Sequence, residues 1–153
     1  MLASDDPTSH LSAVSGNSQP QKSRGRNSAW KVAGDLPSSF RYAAQGLAYS
    51  FVSQRNFRIH VFIGSFAFGL GLWLQLSLDR LALLVLTVTA VLVLELLNTA
   101  TEAVVDLAIG RKYHPLARIA KDCAAAAVLV AALASMLIAA LLLVPPLVTR
   151  LGL

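Results

Sequence analysis

Apolar side chains run almost unbroken along three stretches, about residues 59–78, 81–107 and 122–145. Each approaches the ~20 residues that a helix rising ~1.5 Å per residue needs to cross a bilayer. Only Asp79 and Arg80 interrupt the first two, so the pattern predicts a tight helical hairpin there. No segment alternates polar and apolar positions with the period of two that marks a strand. Pro145 and Pro146 are expected to stop or kink the last helix near its end. Upstream, FRYAAQGLAYSFVSQRNFRIH places Phe40, Leu47, Phe51 and Phe57 among Arg41, Gln45 and Gln54. That spacing predicts an amphipathic surface helix over about 37–57 rather than a plain polar linker. The expected fold class is therefore an all-α membrane protein: a surface helix plus three transmembrane helices within residues 36–149, with a short C-terminal tail at 150–153.

Composition supports this reading. The 153 residues are 56% hydrophobic and only 14% charged, which leaves too little polar surface to coat a soluble domain. Residues 1–35, rich in Ser, Asn, Gln, Pro and Gly, have no apolar core for a signal peptide and read as a disordered basic tail. Its Lys22, Arg24, Arg26 and Lys31 suit an anionic membrane face, and the lack of interleaved aromatics argues against nucleic acid as a partner. Of the basic residues, all but Arg80 and Arg150 precede the first span or lie between the second and third. The positive-inside rule then puts the N-terminus and the 110–121 loop in the cytoplasm, with the C-terminus outside an inner (plasma) membrane. The lone Cys123 permits no intrachain disulfide and reads as a small packing residue.

Polar residues inside the second apolar stretch need a separate explanation. In ELLNTATEAVVDL, Glu95, Asn98, Glu102 and Asp106 fall at roughly 0°, −60°, −20° and +20° on a helical wheel, forming one stripe. A carboxylate in the middle of a bilayer costs about 2.5–3.5 kcal/mol on insertion scales, so it belongs in a protein interior or a water-filled cavity. Hydrogen-bonded helix packing, an ion or proton path, and catalysis each account for such a stripe. The next segment, GRKYHPLARIAKD, brings Arg111, Lys112, His114, Arg118 and Lys121 to the surface where the acids emerge. Carboxylates with phosphate oxygens suit Mg²⁺, and Lys and Arg suit a polyphosphate. His114 has no Cys or His at ligand spacing, so it reads as a loop hydrogen-bonder, and neither a P-loop nor a GxSxG elbow is present. Gly64, Gly69 and Gly71 read as close helix-packing positions.

ELLNTATEAVVDL, then KYH, then AKDCAAAAVLV resemble the small integral-membrane diacylglycerol kinase family of prokaryotes, which includes the undecaprenol kinases. The resemblance covers about residues 40–143, and RNFRIH looks like the undecaprenol-kinase type. It implies a homotrimer with composite sites at the cytoplasmic interface, Mg-ATP as donor and a membrane lipid alcohol as acceptor. It also implies Glu95 as general base, with Asn98 orienting the site and Glu102 as a metal-binding glutamate. Lys121 and Asp122 match a nucleotide-contacting pair, and Lys112, Tyr113 and His114 match the loop near ATP. Gln54 is a departure, because the family usually carries a metal-assisting glutamate there. Glutamine keeps an oxygen donor without the charge, so that metal contact is expected to be weaker or differently completed. Two other classes remain alternatives: a small ion- or proton-conducting protein using the stripe, and a non-catalytic relic of the kinase family.

Overall fold

The structure, a computed structural model, describes residues 36–110 and 112–152, and all regular structure among them is helical. The helices are α1 (Leu36–Ser53), α2 (Arg55–Trp73), α3 (Leu78–Ile109) and α4 (Pro115–Leu151). The expected tail at 1–35, with Lys22, Arg24, Arg26 and Lys31, lies outside the described residues, as does Arg111. The chain divides into two units. Of the first, Met1–Ser39, only the opening of α1 is described; the second, Phe40–Leu153, holds the rest of α1 and the other helices.

Two helices, α3 and α4, are long and apolar enough to cross a membrane. Only 22% and 11% of their most apolar windows is buried, the reverse of a core helix in a soluble protein. In α2, Arg55, Asn56, Arg58 and His60 crowd the first turns, which dilutes its apolarity.

The expected surface helix at 37–57 is broken at Gln54, whose backbone is extended (φ −103°, ψ 113°). The break leaves carbonyls at the end of α1 without helical partners, and Arg58 answers them by donating to Phe51 O (3.1 Å) and Val52 O (2.7 Å). The Phe51 and Phe62 rings lie 6.4 Å apart across the same corner. Gln54 is thus a corner residue between the two helices.

The hairpin turn comes earlier than Asp79-Arg80. Helix α2 stops at Trp73, the turn occupies 74–77, and Asp79 sits in the first turn of α3 behind the N-cap Ser77. Leu74 and Leu76 are buried with Leu84 and Leu143, so the apolar residues before Asp79 belong to a packed turn instead of a longer helix. Gln75 takes a left-handed φ of 58° to make it.

The prolines do not stop α4, which runs to Leu151. They remove N–H donors, while Thr149 Oγ1 donates to Pro145 O (3.0 Å). Arg150, expected in a tail, is helical instead: it donates to Trp73 O (2.9 Å) and its guanidinium lies 4.5 Å from the Trp73 ring centroid. Gly152 (φ 71°) closes the helix.

Helix α3 packs most extensively on α4, then on α2. Two glycines set the α2–α3 approach: a Cβ on Gly64 would collide with Val88, and one on Gly71 would come 3.0 Å from Leu81. Gly69 differs from the expectation, because nothing lies within 4 Å of where its Cβ would be.

Candidate active site

Because α3 is helical without interruption to Ile109, the four stripe residues keep one face from Glu95 to Asp106, about 16 Å of axis. Burial grades along it. Glu95 is 3% exposed, Asn98 and Glu102 are half-buried, and Asp106 is exposed. The acids therefore differ in depth; the deepest is enclosed and the shallowest meets Lys121 on α4.

Each stripe residue is engaged differently. Glu95 Oε1 lies 3.5 Å from His60 Nε2 on α2, and Thr99 Oγ1 donates to the Glu95 carbonyl (3.0 Å). Asn98 Nδ2 donates to Glu102 Oε1 (3.2 Å). Asp106 pairs with Lys121 on α4. Lys121 sets a cation against Asp106 and the Asn98 amide solvates Glu102, which eases the mutual repulsion expected of a carboxylate row.

Glu95 and Asn98 open into a cavity of 300 Å³ bounded by Asn56 and His60 of α2 and by Ala125 and Val128 of α4. His60 also borders a second, apolar cavity of 280 Å³ that passes Gly64, Val88 and Ala139. The cavity lined by polar groups thus adjoins, at His60 and Ala132, one whose lining is hydrocarbon-like. This arrangement suits a lipid with a polar terminus.

The basic residues line a separate recess of 260 Å³. Lys112, Tyr113, His114, Lys121 and Asp122 all border it, joined by Arg118. Gly110 makes this loop possible: its φ of 58° and ψ of −126° are accessible to glycine alone among common residues, and it ends α3. Pro115 then starts α4 at a position that needs no N–H, and His114 Nδ1 accepts from Leu116 N (3.2 Å) as the N-cap. With Nδ1 accepting, a neutral His114 carries its proton on Nε2, a donor suited to a phosphate oxygen. Arg118 and Asp122 form an exposed pair at 3.5 Å.

The structure therefore brings Glu95 to Asn98 and gathers the loop residues around one recess, but the two spaces share no lining residue within this chain. Glu102 borders neither and is tied to Asn98. Neither Gln54 nor Glu102 lines any of these cavities. Nor do three or more His, Cys, Asp or Glu cluster among the described residues as metal ligands. His60, which the sequence shows only as the last residue of RNFRIH, is the residue that sequence reasoning passed over. It lies three residues after Phe57 and four before Gly64, both buried, and so on the packed side of α2, a placement that only the structure supplies.

Comparison with known proteins agrees with the pattern in the stripe and loop. Residues 41–143 match the family described as prokaryotic diacylglycerol kinase. A diacylglycerol kinase of Synechocystis sp. is 49% identical over 124 residues, covering 81% of this chain and 71% of that protein. An undecaprenol kinase of Bacillus subtilis is 39% identical over 109 residues, covering 71% and 88%. A diacylglycerol kinase of Escherichia coli K12 is 55% identical over 40 residues, covering 26% and 32%.

Proposed function

The chain belongs to the prokaryotic diacylglycerol kinase family, and from that premise we propose that it is a lipid kinase transferring the γ-phosphoryl group of ATP to the hydroxyl of a membrane lipid alcohol, diacylglycerol or undecaprenol. The observation carrying this reading is the graded stripe: a buried carboxylate opening into a cavity that adjoins an apolar one, continuous along one helix face to Asp106, which pairs with a lysine of the basic recess.

Phosphoryl transfer asks a protein for alignment, charge neutralisation and removal of the acceptor proton. Glu95 is the general base in this proposal. Its carboxylate takes the hydroxyl proton as the alcohol oxygen attacks the γ-phosphorus, the bridging P–O bond breaks, and ADP leaves. Asn98 orients the groups around it. Lys112, Tyr113, His114, Lys121 and Asp122 hold the nucleotide, with Lys112, the His114 Nε2–H and Lys121 directed to phosphate oxygens. The lipid keeps its chains in hydrocarbon while its hydroxyl reaches Glu95 at the interface.

The residues present fit Mg²⁺. Asn98 Oδ1 is buried without a hydrogen-bond partner, an acceptor whose desolvation is unrewarded unless a cation or donor meets it. Beside it stands the Glu102 carboxylate, and one or two carboxylates plus phosphate oxygens are the usual protein share of a magnesium site. When bound, Mg²⁺ neutralises charge on the phosphates. Glu102 and Asn98 are its proposed oxygen donors, with the Gln54 carbonyl a weaker further one.

The membrane arrangement proposed is α2, α3 and α4 as three spans, α1 on the cytoplasmic surface with Phe40, Leu47 and Phe51 exposed toward lipid, and the C-terminus outside. Three copies form the working unit, which is supported by the separation of the two spaces in one chain: a neighbouring protomer brings its nucleotide recess to this protomer's base. The decisive experiment gives purified protein Mg-ATP labelled at the γ-phosphate with diacylglycerol and undecaprenol in separate reactions. Label is expected in one or both lipids; label in neither overturns the proposal.

A further inference from the structure

The proposed mechanism leaves His60 without a task, although it is paired with the buried carboxylate. Around Glu95, α4 contributes only the apolar wall that includes Ala125 and Val128, and α2 contributes the neutral Asn56 besides His60. On α3 itself, Asn98 gives its N–H to Glu102, a carboxylate that cannot donate in its ionised form. Lys121 is engaged by Asp106, well along the helix. Among the described residues, His60 is thus the one side chain paired with the Glu95 carboxylate.

The two side chains differ in exposure, 24% for His60 and 4% for Glu95, so the imidazole bridges the enclosed acid and the more open space. It also stands where the Glu95 cavity and the apolar cavity meet. A buried carboxylate with no donor is free to swing among rotamers, and each swing away from the acceptor hydroxyl loses the geometry that proton removal needs.

We propose that His60 is a positioning residue for Glu95: its Nε2, 3.5 Å from Oε1, anchors that oxygen and leaves the other carboxylate oxygen to take the proton of the lipid hydroxyl. This rests on Glu95 acting as the base. At 3.5 Å the pair is an ion-pair contact and not yet a hydrogen bond; the anchor works when an N–H or N⁺–H on Nε2 closes on the carboxylate oxygen as the substrate fills the cavity. It comes from α2 whereas the base is on α3, so the packing of Gly64 against Val88 sets its reach.

The test compares wild type, E95Q, H60A and H60Q in the lipid kinase assay, each first shown by gel filtration to keep the wild-type assembly. H60A is expected to lower kcat about 10–100-fold with KM for Mg-ATP within about twofold. H60Q, whose amide N–H takes the place of Nε2–H, and imidazole added to H60A are each expected to restore part of the loss, because both return an N–H donor to the carboxylate. Wild-type kcat in H60A overturns the inference. So does a loss that neither H60Q nor imidazole relieves, which assigns His60 to packing. E95Q separates the two levels: full activity there removes the base and this inference with it, whereas an inactive E95Q beside a fully active H60A removes the inference alone.

Discussion

Lys121 on the second turn of α4 meets Asp106 near the end of α3, spanning the 110–114 loop. The pair ties together the two helix ends that frame the basic recess, and it engages a lysine proposed to hold nucleotide. Both side chains are partly exposed, so the link itself is worth no more than about 1 kcal/mol. Its larger consequence is for binding, since phosphate must share or displace Asp106.

Separating these roles requires a charge swap. Lys121→Ala is expected to raise KM for Mg-ATP about 10–100-fold, the loss of a charged hydrogen bond. Asp106→Lys combined with Lys121→Asp should recover thermal stability to near wild type without recovering KM. Thermal unfolding and steady-state kinetics of the same preparations check this; recovery of both would make Lys121 structural.

Glu95→Gln keeps the size of the side chain and removes the base. Turnover should fall about 10²–10⁴-fold, the usual contribution of general-base catalysis. Nucleotide affinity measured by calorimetry should stay nearly unchanged, because the recess shares no lining residue with the Glu95 cavity.

Gln54→Glu returns a negative charge to the corner between α1 and α2. The Mg²⁺ concentration for half-maximal activity is expected to drop several-fold, and Glu102→Gln to raise it. A magnesium titration of both variants reads the effect directly. An unchanged midpoint in Gln54→Glu would place that corner away from the metal.

Gly64→Ala pushes a methyl into Val88 and should cost about 1–3 kcal/mol, the usual penalty for overpacking. Gly69→Ala meets nothing within 4 Å and should be neutral or stabilising, since alanine is the better helix former. Unfolding in mixed detergent micelles, followed by circular dichroism, distinguishes the two.

The difference between those glycines shows where sequence reading stops. Gly64, Gly69 and Gly71 look alike in an apolar stretch, yet only the rotation of α2 against α3 decides which meet a neighbour. Likewise, the run before Asp79 is apolar whether it is helix or packed turn; Leu74 and Leu76 find partners in Leu84 and Leu143 and bend the chain early. His60 was obscure for the same reason, because a single histidine in an apolar stretch has no meaning until the facing helix supplies Glu95. In contrast, the cluster of basic residues after Asp106 was legible as charge, but the loop expected over 110–121 ends at His114: Pro115 starts α4, so Arg118, Lys121 and Asp122 are helical.

Local spacing alone determined that the chain is helical, that Glu95, Asn98, Glu102 and Asp106 share a face, and that cations follow them, because a helix converts intervals of three and four residues into neighbours. Packing decided how deep each acid lies and which group answers it: His60 for Glu95, Asn98 for Glu102 and Lys121 for Asp106. Depth and partnership depend on how helices distant in sequence rotate and approach, and side-chain volume at their contacts sets that approach.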